Sequence, residues 1–178
     1  MGYTGKVLKK LSTMLKYIHR KRYMTYQEQQ CNFKYRIKAL ERVVDGDTID
    51  VAIDLGFDVS TTQRVRLLGI DTPESRTADP EEKKFGLLSK EKLKEWCLKA
   101  VVSDKDDIEM EIRCPRADSR EKFGRVLAEV WVREGNTWTN VNRWLCENGY
   151  AVAYMGENKK DVEELHMRNR ERVKHELK

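Results

Sequence analysis

A short run of alternating apolar and polar residues decides the fold: it reads Ile49-Asp50-Val51-Ala52-Ile53-Asp54-Leu55. Apolar side chains at every second position predict a strand with one buried face and one face toward water. A second alternating run covers residues 33–39, and a tight turn at Asp45-Gly46 separates the two runs. Together they predict a β-hairpin at the start of the fold.

The same periodicities predict the elements that follow. Strand patterns cover residues 64–70, 108–112 and 125–133, and helical patterns cover residues 89–100, 141–145 and 158–177. Residues 75–84 are polar and predict a loop, and Thr139 is expected to cap the short second helix. The expected fold is therefore α+β and mainly β: a five-stranded OB-type Greek-key barrel with about three attached helices.

Composition excludes several classes of protein. The chain has 178 residues, of which 39% are hydrophobic, which is enough for one core. No apolar run approaches the roughly 20 residues of a membrane-spanning helix. The N-terminus also lacks the apolar stretch of a secretory signal peptide, so the cytoplasm is the expected location. We expect a monomer without a stable protein partner.

Positive charge is concentrated near the N-terminus. Residues 1–40 carry a net charge of +9, whereas the remainder carries −4. Apolar residues at helical spacing within residues 6–22 predict an amphipathic helix. We therefore divide the chain into a basic N-terminal arm and linker, residues 1–32, and a barrel domain, residues 33–178.

The basic arm suggests a polyanion partner, either nucleic acid or an anionic membrane surface. The candidate contacts are Lys9, Lys10, Arg20, Lys21 and Arg22. A single amphipathic helix with few aromatic anchors binds a membrane weakly, so a membrane would only modify the function. A solvated helix or tail without any partner is the alternative.

Cysteines and histidines form no catalytic or metal-binding pattern in the sequence. The four Cys residues include no Cys-x-x-Cys pair, so a structural zinc site is not expected. The three His residues lie in charge-rich terminal segments. A reaction that needs a histidine base in the core is therefore not favoured.

Carboxylates and guanidinium groups gather instead at the predicted strand ends. They belong to Asp45, Asp47, Arg66, Asp71, Glu74 and Arg125. Convergent carboxylates suit a hard divalent cation, and a spare carboxylate can accept a proton from water. Two arginines can hold the oxygens of a phosphate. Each of these residues alone is commonly found in a turn, a loop or a strand. All six together favour metal-assisted hydrolysis of a phosphodiester.

Three motifs in this order resemble the staphylococcal nuclease (thermonuclease) family. They are Val43-Val44-Asp45-Gly46-Asp47-Thr48, Val65-Arg66-Leu67-Leu68-Gly69-Ile70-Asp71-Thr72-Pro73-Glu74 and Phe123-Gly124-Arg125-Val126-Leu127-Ala128. A weaker match lies at Asn148-Gly149-Tyr150-Ala151, and the resemblance covers roughly residues 33–178. It implies an OB barrel with three helices and a calcium-dependent nuclease that acts on DNA, RNA or both.

The resemblance also implies which residues would bind Ca²⁺. Asp47 and Asp71 would be the calcium-binding carboxylates, and the backbone carbonyl of Thr72 would be a further ligand. Asp45 would lie close by and bind through water.

The same resemblance implies roles at the substrate. Glu74 would be the general base, or at least the group that positions the water, and Arg66 and Arg125 would clamp the phosphate. Tyr154 alone clearly occupies the place of the family's paired tyrosines, so it is the candidate for contact with the substrate base. Met155 follows it, which suggests an altered base pocket.

Two functions stay open at this point. One is a hydrolase, a phosphodiesterase or endonuclease of the thermonuclease type, and the other is a nucleic-acid-binding OB-barrel module without catalysis. A binding-only module would be free to lose Glu74 or Arg66. Both are present together with Asp47, Asp71 and Arg125, which favours the enzyme.

Overall fold

A β-hairpin begins the fold, as the alternating runs predict. The computed structural model describes residues 31, 33–101, 108–156 and 159–177. In it, β1 spans Phe33–Asp45 and β2 spans Thr48–Asp54, and the two strands pair antiparallel. The alternating residues Ile49, Val51 and Ile53 face the core and are at most 5% exposed, whereas Leu55 lies beyond the end of β2 and is 47% exposed.

The sheet closes into a barrel through one parallel strand pair. β3 (Ser60–Leu67) pairs with β2, and β5 (Ile108–Cys114) pairs with both β1 and β6 (Val126–Glu134). β6 then lies parallel to β3, with Val65 opposite Val126. The strand order β3-β2-β1-β5-β6, closed by the β3–β6 pair, confirms the predicted five-stranded barrel.

Short strands and helices surround this barrel. The short strands are β4 (Ile70–Asp71), β7 (Thr137–Asn140) and β8 (Val152–Ala153). The helices are α1 (Pro80–Val101), α2 (Val141–Asn148) and α3 (Lys159–Val173), and a 3₁₀ turn at Lys174–Glu176 follows α3. The predicted fold class, mainly β with three helices, is confirmed for the described residues.

The first helix begins earlier than the sequence analysis predicts. Residues 75–84 were expected to form a loop, but α1 already begins at Pro80. The Asp79 carboxylate accepts hydrogen bonds from the backbone N–H groups of Glu81 (2.9 Å) and Glu82 (3.3 Å). Such a cap, with proline in the first helical position and acidic residues in the first turn, is a strong start signal that the polar composition obscures.

Two further boundaries differ from the prediction. Asn140, not Thr139, caps α2, because its Oδ1 accepts the backbone N–H of Arg143 at 3.0 Å. Thr139 instead pairs with Val132 within β7, a strand that was not predicted. The predicted strand 64–70 is also divided: β3 ends at Leu67, and Ile70 pairs with Ala153 across β4 and β8.

The predicted N-terminal arm lies outside the described residues, apart from Cys31. This applies to all five candidate contacts, Lys9, Lys10, Arg20, Lys21 and Arg22. The fold given above is that of the unit Cys31–Lys178. Within the described ranges, no helix has the length and apolar character needed to cross a membrane.

Candidate active site

The turn between β1 and β2 holds two buried carboxylates. Asp45 and Asp47 are each 8% exposed. Asp45 Oδ1 accepts the backbone N–H of Gly46 at 2.9 Å and that of Ser75 at 3.4 Å. Since Ser75 follows β4, Asp45 ties the hairpin turn to the loop that carries Glu74.

The Asp47 carboxylate accepts hydrogen bonds from two hydroxyl groups. Thr48 donates to its Oδ1 at 2.8 Å, and Thr72 donates to its Oδ2 at 3.2 Å. Burial raises the pKa of Asp47, and the nearby Asp71 and Asp45 carboxylates raise it further, whereas Arg66 and the Thr48 hydroxyl lower it. The ionised form of Asp47 would therefore gain from additional positive charge at this point.

Arg66 lies between the two carboxylates at the ends of different strands. Its Nη1 is 2.7 Å from Asp47 Oδ2, and its Nη2 donates to Asp71 Oδ1 at 3.1 Å. All three side chains are largely withdrawn from water, with 14%, 12% and 17% of Arg66, Asp47 and Asp71 exposed. The β3 strand thus brings together Asp47 and Asp71, which are far apart in the sequence.

One nitrogen of this guanidinium group is left with hydrogen-bonding capacity. Arg66 Nη1 is buried, and it has no hydrogen-bond partner in the described part of the protein. Its contact with Asp47 is close enough for an ion pair but lacks the alignment of a hydrogen bond. A buried N–H group of this kind is costly unless an acceptor, such as a phosphate oxygen, approaches it.

His166 of α3 also belongs to this cluster, and the sequence analysis missed it. Its Nε2 is 3.1 Å from Asp71 Oδ2, and its side chain is 12% exposed. His166 does lie in the charged C-terminal segment, as the sequence analysis states, but the docking of α3 brings its ring against Asp71. The available signal was helical spacing: His166 lies on the same helix face as the buried residues Val162 and Val173.

The loop that follows β4 carries the remaining predicted residues. Thr72 is 4% exposed, whereas Glu74 is exposed. The backbone N–H of Glu74 contacts Glu82 Oε1 at 3.4 Å. The loop therefore presents the Glu74 side chain to water while its backbone rests on α1.

A glycine in α1 permits this close approach. A Cβ atom placed on Gly86 would come within 2.5 Å of the Glu74 carbonyl carbon and 2.6 Å of the Ser75 nitrogen, both of them backbone atoms. No side-chain movement can relieve such a contact. The position of Glu74 thus depends on the absence of a side chain at Gly86.

We predict that Gly86→Ala destabilises the protein by about 1–3 kcal/mol, since the backbone of the Glu74 loop must shift. Alanine gains about 0.5–1 kcal/mol in a helix interior, which is too little to offset the clash. Unfolding in urea measures the difference, and Lys83→Ala, at an exposed position of the same helix, is the control. An increase in stability for Gly86→Ala would contradict the close approach.

Arg125 and Tyr154 lie at the edges of the site. Arg125 Nε donates to Glu121 Oε1 at 3.0 Å, and its side chain lines an open groove of about 530 Å³ with Phe123 and Arg64. Its partner is thus Glu121, not a member of the Asp47–Arg66–Asp71 cluster. Tyr154 is half-buried, and its backbone N–H donates to the carbonyl of Gly69 at 2.8 Å, beside the β4–β8 pair.

The donor set of the cluster suits a hard cation. The described residues contain no group of three Asp, Glu, His or Cys side chains that could hold a metal ion. The predicted set consists instead of the Asp47 and Asp71 carboxylates and the backbone carbonyl of Thr72, all of them oxygen donors. Oxygen donors, together with the burial of Asp47 beside the Asp71 and Asp45 carboxylates, fit Ca²⁺.

Comparison with known proteins points to one family. The model of the family described as staphylococcal nuclease homologue matches residues 64–176. The chain is 33% identical to the endonuclease YhcR of Bacillus subtilis (strain 168) over 120 residues, which are 65% of this chain and 9% of that protein. It is 32% identical to the thermonuclease of Staphylococcus intermedius over 114 residues, which are 64% of this chain and 57% of that protein.

A third relative gives the longest of these matches. It is the endonuclease YncB of Bacillus subtilis (strain 168), 33% identical over 134 residues, which are 74% of this chain and 56% of that protein. The chain therefore spans less than two thirds of the length of each of these three relatives.

Proposed function

Because this chain belongs to the staphylococcal nuclease homologue family, we propose that it is a calcium-dependent nuclease that hydrolyses phosphodiester bonds of DNA, RNA or both. The observation that supports this most directly is the position of Arg66. Its guanidinium group bridges Asp47 and Asp71 and keeps one buried N–H group without a hydrogen-bond partner among the described residues. That arrangement offers a donor for a phosphate next to two carboxylates for a cation.

The residues that would hold Ca²⁺ are Asp47, Asp71 and the Thr72 carbonyl, with Asp45 close by through water. A bound ion would polarise a phosphate oxygen and neutralise charge that develops during the reaction. Asp45 and Asp47 are fixed by hydrogen bonds from backbone and hydroxyl groups, so they need little rearrangement when the ion enters.

The remaining residues act on the phosphate and on water. Arg66 donates a hydrogen bond to a non-bridging phosphate oxygen, and Arg125 approaches from the groove and supplies a second guanidinium group. Glu74 accepts a proton from the water that attacks phosphorus in line, while the bond to the leaving oxygen breaks and that oxygen takes up a proton from solvent water. Tyr154 lies beside β4 and contacts the adjacent base.

The alternative is a barrel that binds nucleic acid without cleaving it. The exposed Glu74 carboxylate disfavours that function, because a negative charge beside a bound phosphate weakens binding. The same carboxylate is useful where a water must be deprotonated. Glu74 is therefore easier to explain in an enzyme.

The test is digestion of circular single-stranded DNA, circular double-stranded DNA and RNA in calcium or in EDTA. We expect cleavage in calcium and loss of turnover in EDTA, because the ion that would polarise the phosphate oxygen is then absent. Circular dichroism should show an intact fold in both conditions, since the buried apolar core does not depend on the ion. Full cleavage in EDTA would exclude the proposed metal dependence, and binding without cleavage in calcium would favour the alternative.

The basic arm is proposed to tether the enzyme to its polymer, since residues 1–40 carry a net charge of +9 and the rest carries −4. Binding to duplex DNA should then weaken with salt, with a log–log slope of about −0.9 per phosphate neutralised. Deletion of residues 1–30 should flatten that slope and raise KM on long DNA, but leave cleavage of a short dinucleotide ester unchanged. An unchanged slope with a lower melting temperature would mean that the arm only packs on the barrel.

The cytoplasmic location and the monomeric state stay predictions.

A further inference from the structure

We infer that His166 is a positioning residue that holds the Asp71 carboxylate in the orientation needed to bind Ca²⁺. The inference rests on the proposed function, because Asp71 is one of the two carboxylates assigned to the ion. It starts from the 3.1 Å contact between His166 Nε2 and Asp71 Oδ2.

The two oxygens of Asp71 contact different residues. Arg66 Nη2 donates to Oδ1, and His166 Nε2 lies at hydrogen-bond distance from Oδ2. A carboxylate oxygen accepts, so Nε2 carries the proton and donates. With one donor on each oxygen, rotation of the carboxylate breaks at least one hydrogen bond, and its plane is thereby fixed.

The helix that carries His166 is itself anchored to the barrel. Asn169 Nδ2 donates to the backbone carbonyl of Ala151 at 2.9 Å, and Val162 and Val173 are buried on the same face. Arg170 Nη2 lies 3.7 Å from Glu82 Oε1 of α1. Because several contacts lie on both sides of His166, the loss of any one of them should leave the helix docked and the ring beside Asp71.

His166 contacts Asp71, the residue assigned to the ion, and is not itself assigned to the ion. Such donors orient the ligand before the ion arrives, and their loss typically costs about 10–100-fold in metal affinity or activity. The contact requires only a donor at Nε2, so glutamine, whose side-chain nitrogen reaches a similar position, can replace it. Leucine has a related volume and cannot donate.

The experiment measures Ca²⁺ affinity by titration calorimetry with calcium chloride for the full chain and three variants. His166→Leu removes the donor, His166→Gln retains one, and Asn169→Leu removes an anchor of the same helix that contacts the backbone of Ala151 and not Asp71. Thermal denaturation of each variant reports how much of the protein is folded.

The expected result is a Kd about 10-fold higher for His166→Leu, a Kd close to that of the wild type for His166→Gln, and a lower melting temperature without a change in Kd for Asn169→Leu. An unchanged Kd for His166→Leu in a wild type that binds calcium would overturn the inference and leave the proposed function standing. Equal weakening in His166→Leu and Asn169→Leu would overturn it as well, since helix docking alone would then explain the effect. A wild type that binds no calcium would overturn the metal assignment itself, together with the inference.

Discussion

Glu74→Gln is expected to lower kcat by about 10²–10⁴-fold, the usual contribution of a positioned general base. Glutamine preserves the size of the side chain and cannot take a proton from water. The substitution should not weaken substrate binding, because Glu74 acts on the attacking water and its negative charge disfavours a bound phosphate. Single-turnover cleavage at saturating DNA measures this change.

Because the Glu74 side chain is exposed, its replacement should leave the fold intact. Glu81→Gln is the matched control, because Glu81 is an exposed acid in the first turn of α1 and pairs with Lys84 rather than with the site. We expect the control to cleave at the rate of the wild type. If Glu74→Gln retained a kcat within a few-fold of the wild type, another group would have to accept the proton.

Arg66→Lys is expected to lower kcat by about 10²–10³-fold, comparable to the loss of a hydrogen-bond donor that stabilises transition-state charge. Arg66 contacts Asp47 through Nη1 and Asp71 through Nη2, and Nη1 is buried without a hydrogen-bond partner among the described residues. A lysine ammonium is a compact charge that cannot reach both carboxylates and a phosphate with the same planar geometry. Since the substitution preserves the positive charge, a loss of kcat would show that the planar geometry of the guanidinium group is required.

Arg64→Lys supplies the control for this variant. Arg64 lies two residues earlier on β3 and on the same outer face of the barrel, where it pairs with Asp50 at 2.7 Å. Its replacement should reduce kcat only slightly, because its partner is outside the carboxylate cluster. Equal effects of the two substitutions would indicate a general electrostatic contribution of arginines on this face instead of a specific role for Arg66.

The barrel was predictable because its signals are local. Strand alternation over residues 49–55 and the turn at Asp45-Gly46 depend only on neighbouring residues, and the hairpin follows from them directly. The beginning of α1 was equally local, at Asp79-Pro80, but polar composition outweighed the capping signal. The short strand β7 could not be predicted, because its four residues pair with β6 through backbone hydrogen bonds that the side-chain pattern does not show.

The candidate site was predictable where motifs mark strand ends. Asp47, Arg66 and Asp71 were grouped from the sequence, and the structure places them in contact through Arg66. His166 was not grouped with them, because its contact with Asp71 depends on how α3 docks on the barrel. Helical spacing could show that His166 shares a face with Val162, but not which part of the barrel that face meets.

The parallel pairing of β3 with β6 has a consequence for the order in which the chain folds. Val65 and Val126 are partners although about a third of the chain separates them, and contacts of such long range form slowly. During synthesis β3 is made well before β6. Until β6 is added, the edge of β3 is unpaired and can pair with strands of other chains. Because Arg66 pairs opposite Leu127 in this closing register, the strand that carries Arg66 is paired on its second edge only when β6 has been added. The proposed activity would then appear in a growing chain only at the stage at which the β3 edge is covered.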